Sequence, residues 1–199
     1  MRVLVACEKS GVVREAFRKR GHDAYSCDIL PTDDHSPFHL QQDVLSVLDE
    51  SFDLMIAHPP CTALAVSGNR YYANTQERKD GYSLVFYLLN APIKRICLEN
   101  PVGVISTLYG KPTQIIQPYE FGDDASKKTC LWLKDLPPLP IYPDRRIAGR
   151  LVELNGKTVE RWGNQTDSGQ NKLGPSVDRA EIRSKTYQGI ADAMAETWG

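Results

Sequence analysis

Two stretches of this chain pair a reactive residue type with the end of an apolar run. The first is His58-Pro59-Pro60-Cys61, after Leu54-Met55-Ile56-Ala57; the second is Glu99-Asn100-Pro101, after Ile96-Cys97-Leu98. Consecutive prolines stiffen the backbone and remove two N–H donors, so the chain leaves the first run as a rigid turn. A nucleophile gains from such a mount, because fixing it removes orientational entropy from the reaction. The thiolate is the reactive form of cysteine, so a nucleophilic Cys61 needs a neighbour that lowers its pKa. A small hydrophobe tucked under a turn is the competing reading. Glu99 is badly placed for packing, since a buried charge needs a partner. It reads as a positioned acid or hydrogen-bonding group, or else as a surface carboxylate just past a strand.

The elements that must position these residues alternate. Arg2–Ala6 reads as a short buried strand. A helix follows, with Ser10 as its cap, Val12, Val13, Ala16 and Phe17 on one face and Gly21 at its end. Further strands are expected at 24–30, 52–58 and 95–100, a short helix at 43–48 and a longer one at 76–90. This alternation predicts an α/β fold with a mixed, mostly parallel sheet and helices on both faces. QIIQPYEFG and KTCLWLK read as two strands of an antiparallel edge, 135–185 as a loop-rich region, and 187–198 as a closing helix. In such sheets ligands sit beyond the carboxyl ends of the strands. Cys7–Gly11, Asp28, His58–Thr62 and Glu99–Pro101 all fall at such ends.

Composition narrows the partners. The chain has 199 residues, 25% of them charged, with a net charge of −1. That balance argues against a strong non-specific binder of duplex DNA. No apolar run approaches the roughly 20 residues of a membrane span, and the N-terminal run is too short for a secretory signal; a cytoplasmic location is expected. Five widely spaced cysteines, an odd number with no C-x-x-C pair, make disulfides and a structural zinc site unexpected, so no metal is assigned. The Gly-x-Gly-x-x-Gly of nicotinamide enzymes is missing.

The turn His58-Pro59-Pro60-Cys61 and the later Glu99-Asn100 resemble the cytosine-C5 DNA methyltransferases. In that family a Pro-Cys nucleophile follows one strand and Glu-Asn follows the next. The opening VLVACEKSGVVREAF is similar to the family's first motif and YQGIADAMAETW to its last, while the usual Gln-x-Arg-x-Arg is absent. The chain is most similar to the short members encoded by bacteriophages, for which the location would be the host cytoplasm. The resemblance implies a Rossmann-like methyltransferase fold, S-adenosylmethionine as cofactor and DNA as partner. It casts Cys61 as nucleophile, Glu99 as the acid that orients the base, and Asn100 as support for the turn. Cys7, Glu8, Ser10, Gly11 and Val12 would cradle the cofactor, with loop amides at a helix N-terminus on its carboxylate and Gly11 permitting close approach. Asp28 and Ile29 would meet the ribose, Asp43 and Val44 the adenine, and His58 and Pro59 would complete that side. Pro60, Lys127, Lys128 and Thr129 would face substrate.

Three parts are expected: a catalytic core at 1–134, a short target-recognition region at 135–186, and a C-terminal helix at 187–199 packing back on the core. Between residues 145 and 172, Arg145, Arg146, Arg150, Lys157, Arg161 and Lys172 outnumber Glu153, Glu160 and Asp167. This strip, with Trp162, could touch phosphates and stack a base, or be a solvated loop. So short a region also leaves open a single strand, a free pyrimidine nucleotide or a base amino group as acceptor, or an idle binding protein that keeps the pocket.

Overall fold

The computed structural model describes residues 1–176 and 179–199. Strand β1 (Arg2–Ala6) shows why the sheet forms where it does. Val3 and Val5 bury into one core and Leu4 and Ala6 into the other, so a continuous apolar run serves a strand covered on both faces. Helix α1 (Val12–Lys19) leads to β2 (Asp23–Asp28), and a short β3 (His39–Gln41) pairs outside it. Strand β4 (Leu54–Ala57) lies on the other side of β1. It is followed by a single turn α2 (Asn69–Tyr72), helix α3 (Gln76–Leu89) and β5 (Arg95–Pro101). After the one-turn α4 (Ile105–Leu108) come β6 (Gln114–Ile116) and β7 (Thr129–Lys134).

The sheet order is β3-β2-β1-β4-β5-β7-β6. The first five strands run parallel, and β7 pairs antiparallel with both β5 and β6. Order reverses between β1 and β4, which makes their carboxyl ends the crevice where a ligand belongs. Helix α3 covers one face, and α1 with the C-terminal α6 (Gln188–Trp198) covers the other. The Rossmann-like α/β sheet read from the sequence is therefore the fold found, antiparallel edge included.

Several boundaries differ, each for a local reason. The second strand stops at Asp28, whose carboxylate accepts from the Leu30 amide at 2.9 Å and turns the chain. Ile29 is left 72% exposed. The helix expected at 43–48 is a 3-10 turn over Val44–Ser46, capped by Asp43. QIIQPYEFG is strand only through Ile116; Gln117 and Glu120 then form a reciprocal cap around a turn at Pro118–Phe121. Ser10 does not cap α1: the Glu8 carboxylate takes that place, accepting from the amides of Val13 (2.8 Å) and Arg14 (3.2 Å). His35 and His39 have three residues between them, a spacing that metal-binding pairs use, but the two His39 ring nitrogens bond Ser26 Oγ and the Leu30 carbonyl. Among the described residues no three metal-ligating side chains converge, and no helix is long and apolar enough to cross a membrane.

The region read as loop contains more order than expected. Strands β8 (Arg150–Leu154) and β9 (Lys157–Arg161) form a hairpin whose turn, Asn155-Gly156, holds both residues at positive φ (51° and 74°). Asn-Gly is a strong sequence signal for that turn, and the overall lack of periodicity masked it. A short helix α5 (Arg179–Ser184) follows; Val177 and Asp178 of the expected 135–186 region lie outside the described residues. Trp162 is only 8% exposed. It stacks on Tyr119 at 3.8 Å and donates through Nε1 to the Ile147 carbonyl. That ring fastens the region to the core and cannot stack a base.

Helix α6 begins hard against the Pro118–Phe121 turn. A Cβ on Gly189 would stand 1.9 Å from the Phe121 carbonyl oxygen, and the Gly189 amide donates to Asp123 at 3.0 Å. Gly189→Ala is therefore expected to cost about 1–3 kcal/mol, a fall in Tm of several degrees for a chain of this size. Thermal unfolding followed by circular dichroism reads it directly, and an unchanged Tm would show that α6 does not close the core.

Candidate active site

The turn that carries Cys61 is held on three sides. The His58 amide donates to the Ala6 carbonyl at 2.9 Å, extending the sheet one residue past β4. Asn100, buried at the end of β5, donates through Nδ2 to the Pro59 carbonyl at 2.9 Å. Beyond the cysteine, Ala65 bridges Gly103; the Val66 amide donates to the Val102 carbonyl at 3.0 Å and the Val104 amide to the Leu64 carbonyl at 2.9 Å. A Cβ on Gly103 would sit 2.0 Å from the Leu64 carbonyl oxygen, so only glycine admits this approach. The segments that follow Cys61 and Glu99 are thus clamped together.

The same pairing brings the side chains together. Ala57 lies opposite Leu98 in the parallel β4–β5 ladder, so the next residues, His58 and Glu99, meet just beyond it. His58 Nδ1 lies 3.1 Å from Glu99 Oε2, with the His58 side chain 9% exposed. A carboxylate can only accept, so Nδ1 carries the proton in this bond. His58 Nε2 and Asn100 Oδ1 are buried without a hydrogen-bond partner. Buried polar atoms are rarely left so. Both belong to residues that flank the Cys61 turn.

Charges set the resting states. Burial alone would raise the Glu99 carboxyl, but the Lys127 charge and the bond from His58 outweigh it and hold Glu99 below the usual carboxylate value. The Cys61 thiol is pushed up by burial and then by Glu99, against a weaker pull from Lys127 and Arg183. The site at rest therefore pairs a protonated thiol with an ionised carboxylate. Lys127 and Arg183 pull the Cys61 pKa down, but too weakly to give the net lowering that the sequence reading required of a nucleophile.

The β1 and β2 ends differ from the cradle expected. Cys7 has φ 58°, and its thiol is pushed up to about 12 by burial and by the charge of Asp28. The Glu8 carboxylate, which Ser10 Oγ also reaches at 3.3 Å, occupies the α1 N-terminus that was assigned to a ligand carboxylate. The space over Gly11 is filled as well. A Cβ there would come within 2.2 Å of the buried Arg14 guanidinium, which pairs with Asp34, so the glycine makes room for that ion pair. Val12 packs against the α1–α6 core and Val44 is buried in the α3 core. Asp28 and Asp43 both raise the Cys7 thiol, and their neighbours Ile29 and Leu45 are exposed.

On the other side of the turn, Cys61 and Pro101 border a cleft of about 970 Å³ between the 61–72 segment, Ser126–Lys128 and residues 164–187. Lys127 and Lys128 line it. Thr129 is buried instead, its hydroxyl donating to the Lys127 carbonyl at 3.1 Å, so it cannot face substrate. Pro59 is buried and Pro60 exposed. Sequence reasoning missed Tyr71, Tyr72, Arg179, Arg183 and Tyr187 in the lining. The interleaving in Arg70-Tyr71-Tyr72 and the basic run from Arg179 to Lys185 carried a faint signal. Half of the basic strip is spent on the chain's own carboxylates: Arg145 pairs with Glu196, Arg146 with Glu160, and Arg150 with Asp167. Of that strip, Lys172 lines the cleft.

No family model and no curated protein matches the sequence. Among solved structures it is similar to a protein described as a DNA modification methyltransferase encoded within an E. coli prophage. That match has a TM-score of 0.48 and 15% identity and covers 67% of this chain and 46% of the other. It is also similar to the S. pombe Dnmt2 methyltransferase, with a TM-score of 0.48 and 18% identity over 67% and 50% of the two chains. The chain spans about half the length of each.

The charges around Cys61 are testable by alkylation. Glu99→Gln removes the carboxylate that raises the thiol and should speed Cys61 alkylation by iodoacetamide several-fold at fixed pH. Lys127→Met should slow it. In the wild type the rate should climb steadily to pH 9 and above, because the protonated thiol is unreactive. Opposite signs in the two variants, or a plateau near neutrality, would sink the assignment.

Proposed function

We propose that the chain is an S-adenosylmethionine-dependent methyltransferase acting on C5 of cytosine in nucleic acid, with Cys61 as nucleophile. One observation carries this reading: a rigidly mounted thiol borders a basic cleft and stands in the field of an ionised carboxylate. C5 of cytosine is too weak a nucleophile to take a methyl group unaided. Bonding of sulfur to C6 moves the ring electrons toward C4, C5 and N3 and turns C5 into an enamine-like carbon, which divides one hard step into easier ones.

Glu99 is suited to the ring's polar edge. As a carboxylate it accepts from the exocyclic amine, and it holds its His58 bond on the other oxygen side. Charge developing at N3 on attack calls for a proton. That proton can come from solvent in the open cleft through the Glu99 carboxyl, which His58 holds in place, and it returns when the adduct collapses. The thiol proton and, later, the C5 proton leave to solvent in the open cleft. Asn100 keeps the Pro59 carbonyl in place and so holds the sulfur in register with the ring.

The crevice at the β1, β2 and β4 ends suits a cationic donor. Asp28 and Asp43 stand there, and exposed Ile29 and Leu45 offer apolar cover to a purine. Asp28 would take ribose hydroxyls and Asp43 the adenine amine. Bound there, S-adenosylmethionine supplies the electrophilic methyl group that C5 takes. The acid-lined and base-lined sides meet at the Cys61 turn, which matches a cationic donor on one side and an anionic acceptor on the other.

Trapping tests the reading. Oligonucleotides bearing 5-fluorocytosine, incubated with S-adenosylmethionine, should give a covalent adduct at Cys61 by mass spectrometry, because fluorine cannot leave as the C5 proton does. Cys61→Ser should form no adduct and lose methyl transfer to below detection; Glu99→Gln should lose about 10²–10³ in kcat. Methyl transfer that survives Cys61→Ser would point to a base amino group as acceptor and overturn the C5 assignment.

A further inference from the structure

The cleft beside Cys61 has a composition that the C5 chemistry alone does not require. Five cations line it, Lys127, Lys128, Lys172, Arg179 and Arg183, and no acidic side chain does so among the described residues. Tyr71 on its rim is 74% exposed, with Ile182 also exposed in the lining. Large apolar groups left bare amid cations mark a binding surface, and an anionic, flat-ringed ligand satisfies both features. Outside the cleft the pattern ends. Arg145, Arg146 and Arg150 are bound to the chain's own carboxylates, Trp162 is locked on Tyr119, and the whole chain carries a net charge of −1.

A duplex is a wide rod whose phosphates demand a broad basic face, and its target base must be flipped out and the gap filled at a cost of a few kcal/mol. A single strand asks for less: a narrow basic groove and an aromatic platform on which a base stacks. We infer that the cleft between Tyr71 and α5 binds a short unpaired stretch of nucleic acid, its phosphates on the five cations and a base stacked on Tyr71. This rests on the reading of Cys61's side of the turn as the acceptor side. The unpaired strand needs no flipping, so the small region 135–186 suffices without a separate duplex-reading surface.

Fluorescence anisotropy of the full chain with labelled 10-mers tests the inference. A cytosine-containing DNA single strand should bind at least tenfold more tightly than the same sequence as duplex, at equal salt. The slope of log K against log salt should reach about −3.5 if all five cations meet phosphates, at roughly −0.7 for each. Lys172→Ala should flatten it by about 0.7. Tyr71→Ala should weaken the single strand about tenfold, Tyr71→Phe should restore binding, and Arg145→Ala should change nothing. An RNA strand of the same sequence identifies the preferred sugar, and preference for either over duplex supports the inference. Equal or tighter duplex binding, or a Tyr71→Ala variant that binds like wild type, overturns it. Tight single-strand binding without methyl transfer would leave this inference standing and remove the methyltransferase reading; transfer to paired cytosine with tighter duplex binding would do the reverse.

Discussion

The parallel register of β4 against β5 is the constraint on which the site depends. Ala57 opposite Leu98 obliges His58 to meet Glu99 one residue later, and it delivers Asn100 to the carbonyl of Pro59. Slipping either strand by one residue would turn every side chain to the opposite face. That slip is prevented by the two cores, since Met55, Ala57, Ile96 and Leu98 face one and Leu54, Ile56 and Cys97 the other. The chemistry is therefore positioned by burial of apolar side chains that take no part in it.

From this register follows a division of charge. Toward β2 and β3 the strand ends carry Asp28 and Asp43; beyond the Cys61 turn the cleft carries lysines and arginines. His58 stands between them, bonded to Glu99 and felt by Glu8. Its buried, unpartnered Nε2 is a group whose cost, about 1–3 kcal/mol if left unmet, makes sense where a proton or a ligand is to be exchanged.

The α1 N-terminus shows how a familiar pattern can be put to another use. A small-residue loop before a helix reads as an anion cradle, yet here Glu8 supplies the anion from within the chain and Gly11 yields its space to Arg14 and Asp34. With those amides already taken, a ligand's own carboxylate has no place at this helix start and must rest elsewhere.

Much was legible in residue order. Apolar runs bounded by prolines and glycines determine the strands, because a strand buried on both faces needs an unbroken run, and alternation with helical segments determines a mostly parallel sheet. Cys61 and Glu99 stood out because reactive groups ended such runs. What only the folded chain decided involves partners distant in sequence. The His58–Glu99 bond joins residues 41 apart, the Trp162–Tyr119 stack withdraws a base platform, and the arginines of 145–150 are neutralised by carboxylates up to 51 residues away. Periodicity reports which face of an element is buried. It holds no record of which charge or ring lies opposite, and that opposition settles whether an exposed-looking cation meets a ligand or its own chain.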